Sequence, residues 1–171
     1  LDLCPDGNLL EEARPQEVPP DPGEADALRK RLLDAALPTQ RAFLEDTEHR
    51  ILGFVAGFGA GKTYSLCLKT LMLALDNVGF VGLVAEPTYP LIRDVFCRSF
   101  DEVLEQFEID YEFRVSPQPE YKLKLPGGVT TILCRSMENW QRIRGQNLAF
   151  CLADEIDTSP ADTAQKASEM M

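Results

Sequence analysis

The sequence is poor in features that would each point to a class of protein. No run approaches the roughly 18 uninterrupted apolar residues of a membrane span, and the first residues lack the basic-then-apolar order of a secretory leader. The expectation is an intracellular chain with no membrane association. Histidine occurs once, as His49 beside Arg50, so no pair of histidines can form a metal site or catalytic dyad. It reads as a solvated loop residue. Cys4, Cys67, Cys97, Cys134 and Cys151 are odd in number and never at a CxxC spacing, which argues against a disulfide framework and a zinc site. Four of them lie in apolar segments, as small hydrophobes do. Basic charge is scarce as well: 17 Lys and Arg face 28 Asp and Glu, a formal charge of -11. That excludes strong non-specific binding to nucleic acid by this chain alone and confines any DNA contact to a local patch.

What is present suits one α/β domain. The chain has 171 residues, 44% of them hydrophobic, enough for a core of ordinary size. Residues 1–22 hold Pro5, Pro15, Pro19, Pro20 and Pro22 among acidic residues with almost no apolar period, the pattern of an extended or disordered arm. Residues 23–171 form the expected domain. "EADALRKRLLDAAL" places Ala27, Leu28, Leu32, Ala35 and Ala36 at near-helical spacing. Pro38 breaks that helix, and "TQRAFLED" reads as a short second one opened by Thr39 as its cap.

From His49 onward strands and helices alternate, which predicts a mostly parallel sheet flanked by helices. Strands are expected at Ile51–Val55, Phe80–Ala85 and Leu148–Ala153, with helices from about Lys62 to Leu75 and Leu91 to Phe107. "YEFRV", "YKLKL" and "VTTILC" read as short strands, the last two joined as a hairpin at Pro126-Gly127-Gly128. In "YKLKL", Lys122 and Lys124 alternate with Tyr121, Leu123 and Leu125, as on a strand with one wet face. A DNA contact through those lysines is the weaker alternative.

Between the expected strand at 51–55 and the helix at 62 lies "AGFGAGKT", residues 56–63. Gly57, Phe58, Gly59, Ala60, Gly61, Lys62 and Thr63 have the form of a phosphate-binding loop, with Ala56 where the first glycine usually stands. Glycines let backbone N–H groups turn inward at phosphate oxygens, and the following helix aims its positive end at the same point. Lys62 then faces the β- and γ-phosphates of ATP, and the Thr63 hydroxyl completes a Mg²⁺ shell. Taken alone, the loop could be a glycine-rich strand-to-helix turn. The second element is "AFCLADEID", an apolar strand ending in Asp154, suited to orienting Mg²⁺, and Glu155, suited to polarising the attacking water. An acidic pair opening a helix is the bland reading there. Ser159-Pro160 is the better helix start, however, and leaves both acids upstream. Loop and acids together predict an ATP hydrolase.

In order along the chain, Gln40 in "LPTQRAFL", then "GFGAGKT", "PTYPLIRDVF" and "RIRGQNLAFCLADEID" resemble the large terminase subunit of tailed bacteriophages, an ATP-driven DNA-packaging motor. The resemblance covers residues 38 to about 160. It implies a P-loop NTPase fold of the additional-strand, catalytic-glutamate type. ATP hydrolysis would drive double-stranded DNA into a procapsid, with a portal protein, a small terminase subunit and a homo-oligomeric, pentameric ring as partners. It places the protein in the host cytoplasm at the portal vertex. Gln40 falls in the family's adenine-contacting segment. Arg144 falls where relatives reach into a neighbour's nucleotide site, with Arg142 as competing candidate and a surface ion pair as the plainer role. Trp140 beside them suits packing or base stacking.

Two departures stand out. Phe58 occupies a loop position where many relatives carry arginine, so no arginine role transfers. The chain also ends 17 residues after Asp154 (171 minus 154), where relatives continue into a coupling motif and a nuclease domain. It therefore resembles a truncated or split product from which nuclease activity is not expected. A helicase-like nucleic-acid ATPase and a non-catalytic nucleotide- or partner-binding fragment are the alternative functions.

Overall fold

The computed structural model describes residues 22–138 and 147–156. Residues 1–21 of the acidic arm expected at 1–22, Trp140, Arg142, Arg144 and the helix start at Ser159 lie outside the described residues. Helix α1 spans Pro22–Ala35 and buries Leu28 and Leu32, two of the residues its apolar spacing singles out. Helix α2, Pro38–Glu45, corrects the expected cap: Leu37, in an extended conformation, holds the cap position, and Pro38 is the first helical residue. Proline suits that position because its φ is already helical and its missing N–H would have no helical acceptor.

Residues 51–57 correct the first expected strand, because they join no ladder. Their exposure still alternates, with Ile51, Gly53 and Val55 outward and Leu52 and Phe54 half-buried. Phe54 packs on Phe43 of α2, ring centroids 5.2 Å apart, so the inward face of this segment is met by a helix. Helix α3, Lys62–Asp76, is buried around most of its circumference. Its apolar run forms the hub of the core with Leu68, Leu71 and Ala74, each fully buried.

Five strands form one sheet: β1 Val81–Glu86, β2 Tyr111–Arg114, β3 Glu120–Leu125, β4 Gly128–Ser136 and β5 Phe150–Ala153, in the order β2-β3-β4-β1-β5. β1 pairs in parallel with β4 and β5, while β3 is antiparallel to both β2 and β4. Four strands therefore run one way and β3 alone runs the other. The expected hairpin is present, with Leu125 opposite Gly128. In β3, Tyr121, Leu123 and Leu125 are buried while Lys122 and Lys124 are exposed, as alternation requires. At the edge of the sheet Gly82 makes room for the Phe150 ring on β5, since a Cβ there would collide with it.

The expected helix from Leu91 to Phe107 begins earlier and is not uniform. α4 covers Tyr89–Leu91, a π-helical stretch Ile92–Cys97 follows, and α5 runs over Arg98–Gln106. Thr88 opens it, its hydroxyl accepting from the Leu91 N–H at 3.5 Å. Phe96, Phe100, Val103 and Leu104 then point into the core beside α3 and the sheet. The main core lies on this face. The other face carries a smaller cluster around Leu83 and Leu133, joined by Val81, Leu148 and Cys151.

Candidate functional site

The phosphate loop closes directly onto α3. Gly59 and Gly61 have φ of 74° and 75°, a left-handed conformation that glycine adopts without steric cost. Gly61 holds the cap position of α3 with no side-chain cap, so the first N–H groups of a 15-residue helix face outward beside the loop. Such an end attracts anions, phosphate above all. Lys62 folds back over the loop, its Nζ donating to the carbonyl oxygens of Ala56 at 3.1 Å and Gly57 at 3.2 Å. Neutral carbonyls are weaker partners for an ammonium than phosphate oxygens, so these contacts can be exchanged.

Opposite the loop, β5 delivers the two acids. The Asp154 N–H donates to Ala85 O at 3.0 Å, which fixes the residue to the end of β1. Its carboxylate is held twice: Oδ1 accepts from the Glu155 N–H at 2.9 Å, and Oδ2 from Thr63 Oγ1 at 3.4 Å. Thr63 and Asp154 are 91 residues apart in sequence, so the fold itself makes this meeting. A hydroxyl and a carboxylate at that separation are hard oxygen donors of the kind Mg²⁺ takes along with phosphate and water. Glu155 has φ 44°, an unusual backbone for a non-glycine residue, and such strain gathers at functional positions.

Gln40 is brought to the same place, but from behind. It is 3% exposed, its Oε1 accepts from the Leu37 N–H at 2.9 Å, and its Nε2 donates to Ala60 O at 3.4 Å. The amide therefore caps α2 and braces the phosphate loop at once. A Cβ on Gly61 would stand 2.8 Å from Gln40 Nε2, which shows how closely the two approach. Phe58, at the tip of the loop, is fully exposed.

Two buried ionisable residues escaped the reading of the sequence. Lys69 in α3 is 4% exposed and donates to the carbonyl oxygens of Leu44 at 3.0 Å and Asp46 at 2.9 Å, tying the C-terminus of α2 to α3. Burial holds its ammonium below the usual lysine range, against the opposing pull of Asp46 and Asp76. Glu86 closes β1 and is 2% exposed, with Oε1 lacking any hydrogen-bond partner. Burial pushes its carboxyl up to about 8, helped by the negative charges of Asp154 and Glu155. The signal for Glu86 was available: an acid ending the apolar strand "VGLVAE" is the feature that marks Asp154 after "FCLA".

The chain matches the family described as terminase large subunit, T4likevirus-type, N-terminal, over residues 54–168, more than half its length. No curated protein matches it. Among solved structures, the large terminase from the thermophilic bacteriophage D6E is similar with a TM-score of 0.62 and 16% identity, covering 83% of this chain and 35% of that one. The large terminase ATPase domain of Thermus phage P74-26 is similar with a TM-score of 0.55 and 19% identity, covering 82% and 61%. The D6E large terminase in complex with ADP gives 0.61 and 15%, covering 83% and 35%. At these identities the likeness establishes the fold, and the chain spans less than two thirds of each of these proteins, from 35% to 61%. The chain belongs to the T4likevirus-type terminase large subunit family, corresponding to part of its N-terminal region, and has the α/β fold of large terminase ATPase domains.

Proposed function

We propose that this chain is the ATP-hydrolysing module of a viral DNA-packaging motor. The observation that carries the proposal is the meeting of Thr63 with Asp154, which joins the phosphate loop to the acidic strand end in one site. In this reading the loop N–H groups and the start of α3 hold the β- and γ-phosphates of ATP, and Lys62 leaves the carbonyls of Ala56 and Gly57 to face the same oxygens. Mg²⁺, held through Thr63 and Asp154, supplies neutralising charge at the phosphates. Glu155 takes the proton of the attacking water, and Asp154, fixed by two hydrogen bonds, keeps the adjacent turn in place. The D6E structure with bound ADP supports adenine nucleotide as the ligand class.

Family membership supports a larger reading, which we propose with it. Double-stranded DNA is the translocated substrate, and a portal protein and small terminase subunit are the partners. Arg144 completes a neighbour's site within a pentameric ring in the host cytoplasm, at the portal vertex of the procapsid. Glu155→Gln tests the catalytic core of the proposal. The amide keeps the shape and loses the base, so ATP-γ-S should bind as to wild type while turnover falls by about 10²-fold or more. A variant that hydrolyses ATP at the wild-type rate would place the base elsewhere.

A further inference from the structure

Val84 and Leu152 stand opposite each other in the β1–β5 ladder and both enter the main core. Side chains alternate along strands, so Glu86 and Asp154, each two residues further on, lie on that same face at the carboxyl end of the sheet. α3, whose first turn brings Thr63 to Asp154, packs on it as well. Glu86 is therefore a third carboxyl at the nucleotide site, behind the two that the sequence makes conspicuous. It differs from them in being almost wholly buried with one oxygen unpartnered. An unsatisfied buried carboxyl oxygen destabilises a folded protein, which is tolerable where a ligand supplies the missing partner.

Its environment limits what that partner can be. Burial above all, and then the neighbouring Asp154, Glu155 and Cys97 of the π-helical stretch, disfavour a negative charge on Glu86. Such a pocket calls for a cation or for a donor carried by one. Among the described residues no three His, Cys, Asp or Glu side chains gather closely enough to hold a metal between them. Direct three-carboxylate ligation is thereby set aside. A water is the appropriate intermediary, since Mg²⁺ keeps several waters even when bound to protein and phosphate.

We propose that Glu86 is an outer-shell acceptor for the divalent cation of the nucleotide site, where it would receive a hydrogen bond from a water of the cation's shell. The inference rests on the nucleotide site proposed above and adds a residue that neither the loop nor the Asp-Glu pair contains. Glu86 is a positioning residue: it acts on the cation through water and touches no reacting atom. Outer-shell partners of this kind typically contribute 10- to 100-fold to metal affinity.

The test measures metal affinity rather than turnover. Mn²⁺ is titrated into the full chain saturated with ADP, free ion being read from its electron paramagnetic resonance signal, for wild type, Glu86→Gln and Glu86→Asp. The first variant removes the acid at nearly constant shape, and the second keeps the carboxyl but retracts it by one methylene. Both should bind Mn²⁺ at least about tenfold more weakly, while ADP affinity in chelator stays unchanged. Without metal, Glu86→Gln should melt no lower than wild type, because it loses an orphaned acid rather than a structural contact. Equal Mn²⁺ affinity in all three proteins would overturn the role of Glu86 alone. A wild type that takes up no Mn²⁺ in the presence of ADP would overturn the nucleotide site and this inference together.

Discussion

At the scale of single residues, the site combines groups that announce themselves with groups that do not. Gln40 shows the difference in kind. Family resemblance associates its segment with adenine, whereas in the fold its amide is divided between the Leu37 N–H and the Ala60 carbonyl. A buried amide with both ends engaged braces the loop whatever base is bound. Gln40→Ala should therefore weaken ADP and GDP binding by equal factors, measured by competitive titration, with about 1 kcal/mol lost from α2 through its missing cap. Selective loss of ADP affinity would instead put Gln40 at the base. Lys62, Thr63, Asp154 and Glu155 stand out in the sequence as candidates because each belongs to a local signature: glycines before a helix, and acids after an apolar strand. The burial of Glu86 was not legible, because it depends on elements distant in sequence that pack around β1.

At the scale of elements, helices and inner strands were legible nearly to their ends, since continuous apolar runs such as "GLVA" and 3.6-residue periods have one good burial solution. The segment at 51–57 shows why the rest was not. Alternation reports an extended chain with one inward face, and it cannot say whether that face meets a sheet or, as with Phe54 on Phe43, a helix. The π-helical stretch at Ile92–Cys97 likewise has no periodic signal of its own. Lys69 is the element-scale counterpart of Gln40, holding the end of α2 to α3 as Gln40 holds its beginning to the loop. Lys69→Met keeps the apolar stem and removes the donor, leaving the Leu44 and Asp46 carbonyls short of a partner. Urea unfolding should show a loss of about 2 kcal/mol. An unchanged midpoint would mean that water replaces the ammonium without cost.

At the scale of the whole molecule, the meeting of Thr63 with Asp154 gathers the candidate site at the carboxyl end of the sheet, and the formal charge of -11 confines any nucleic-acid contact to a local patch. If Arg144 completes a neighbour's site, Arg144→Ala in the full-length ring should leave ATP affinity nearly intact and lower turnover, because its contact is made mainly to charge developing in the transition state. Mixed rings of Arg144→Ala and Glu155→Gln subunits should regain activity beyond that of either alone. Mixtures that never do so, with ring assembly confirmed, would confine Arg144 to its own subunit. The claim beneath all of this is that residues 56–63 form a working phosphate cradle, and calorimetric titration of ATP-γ-S with Mg²⁺ into wild type and Lys62→Ala tests it most directly. Wild type should bind saturably and the variant at least about tenfold more weakly, as expected for removing a charge-assisted contact to phosphate. Equal affinity in the two proteins, or no binding to wild type, would contradict it.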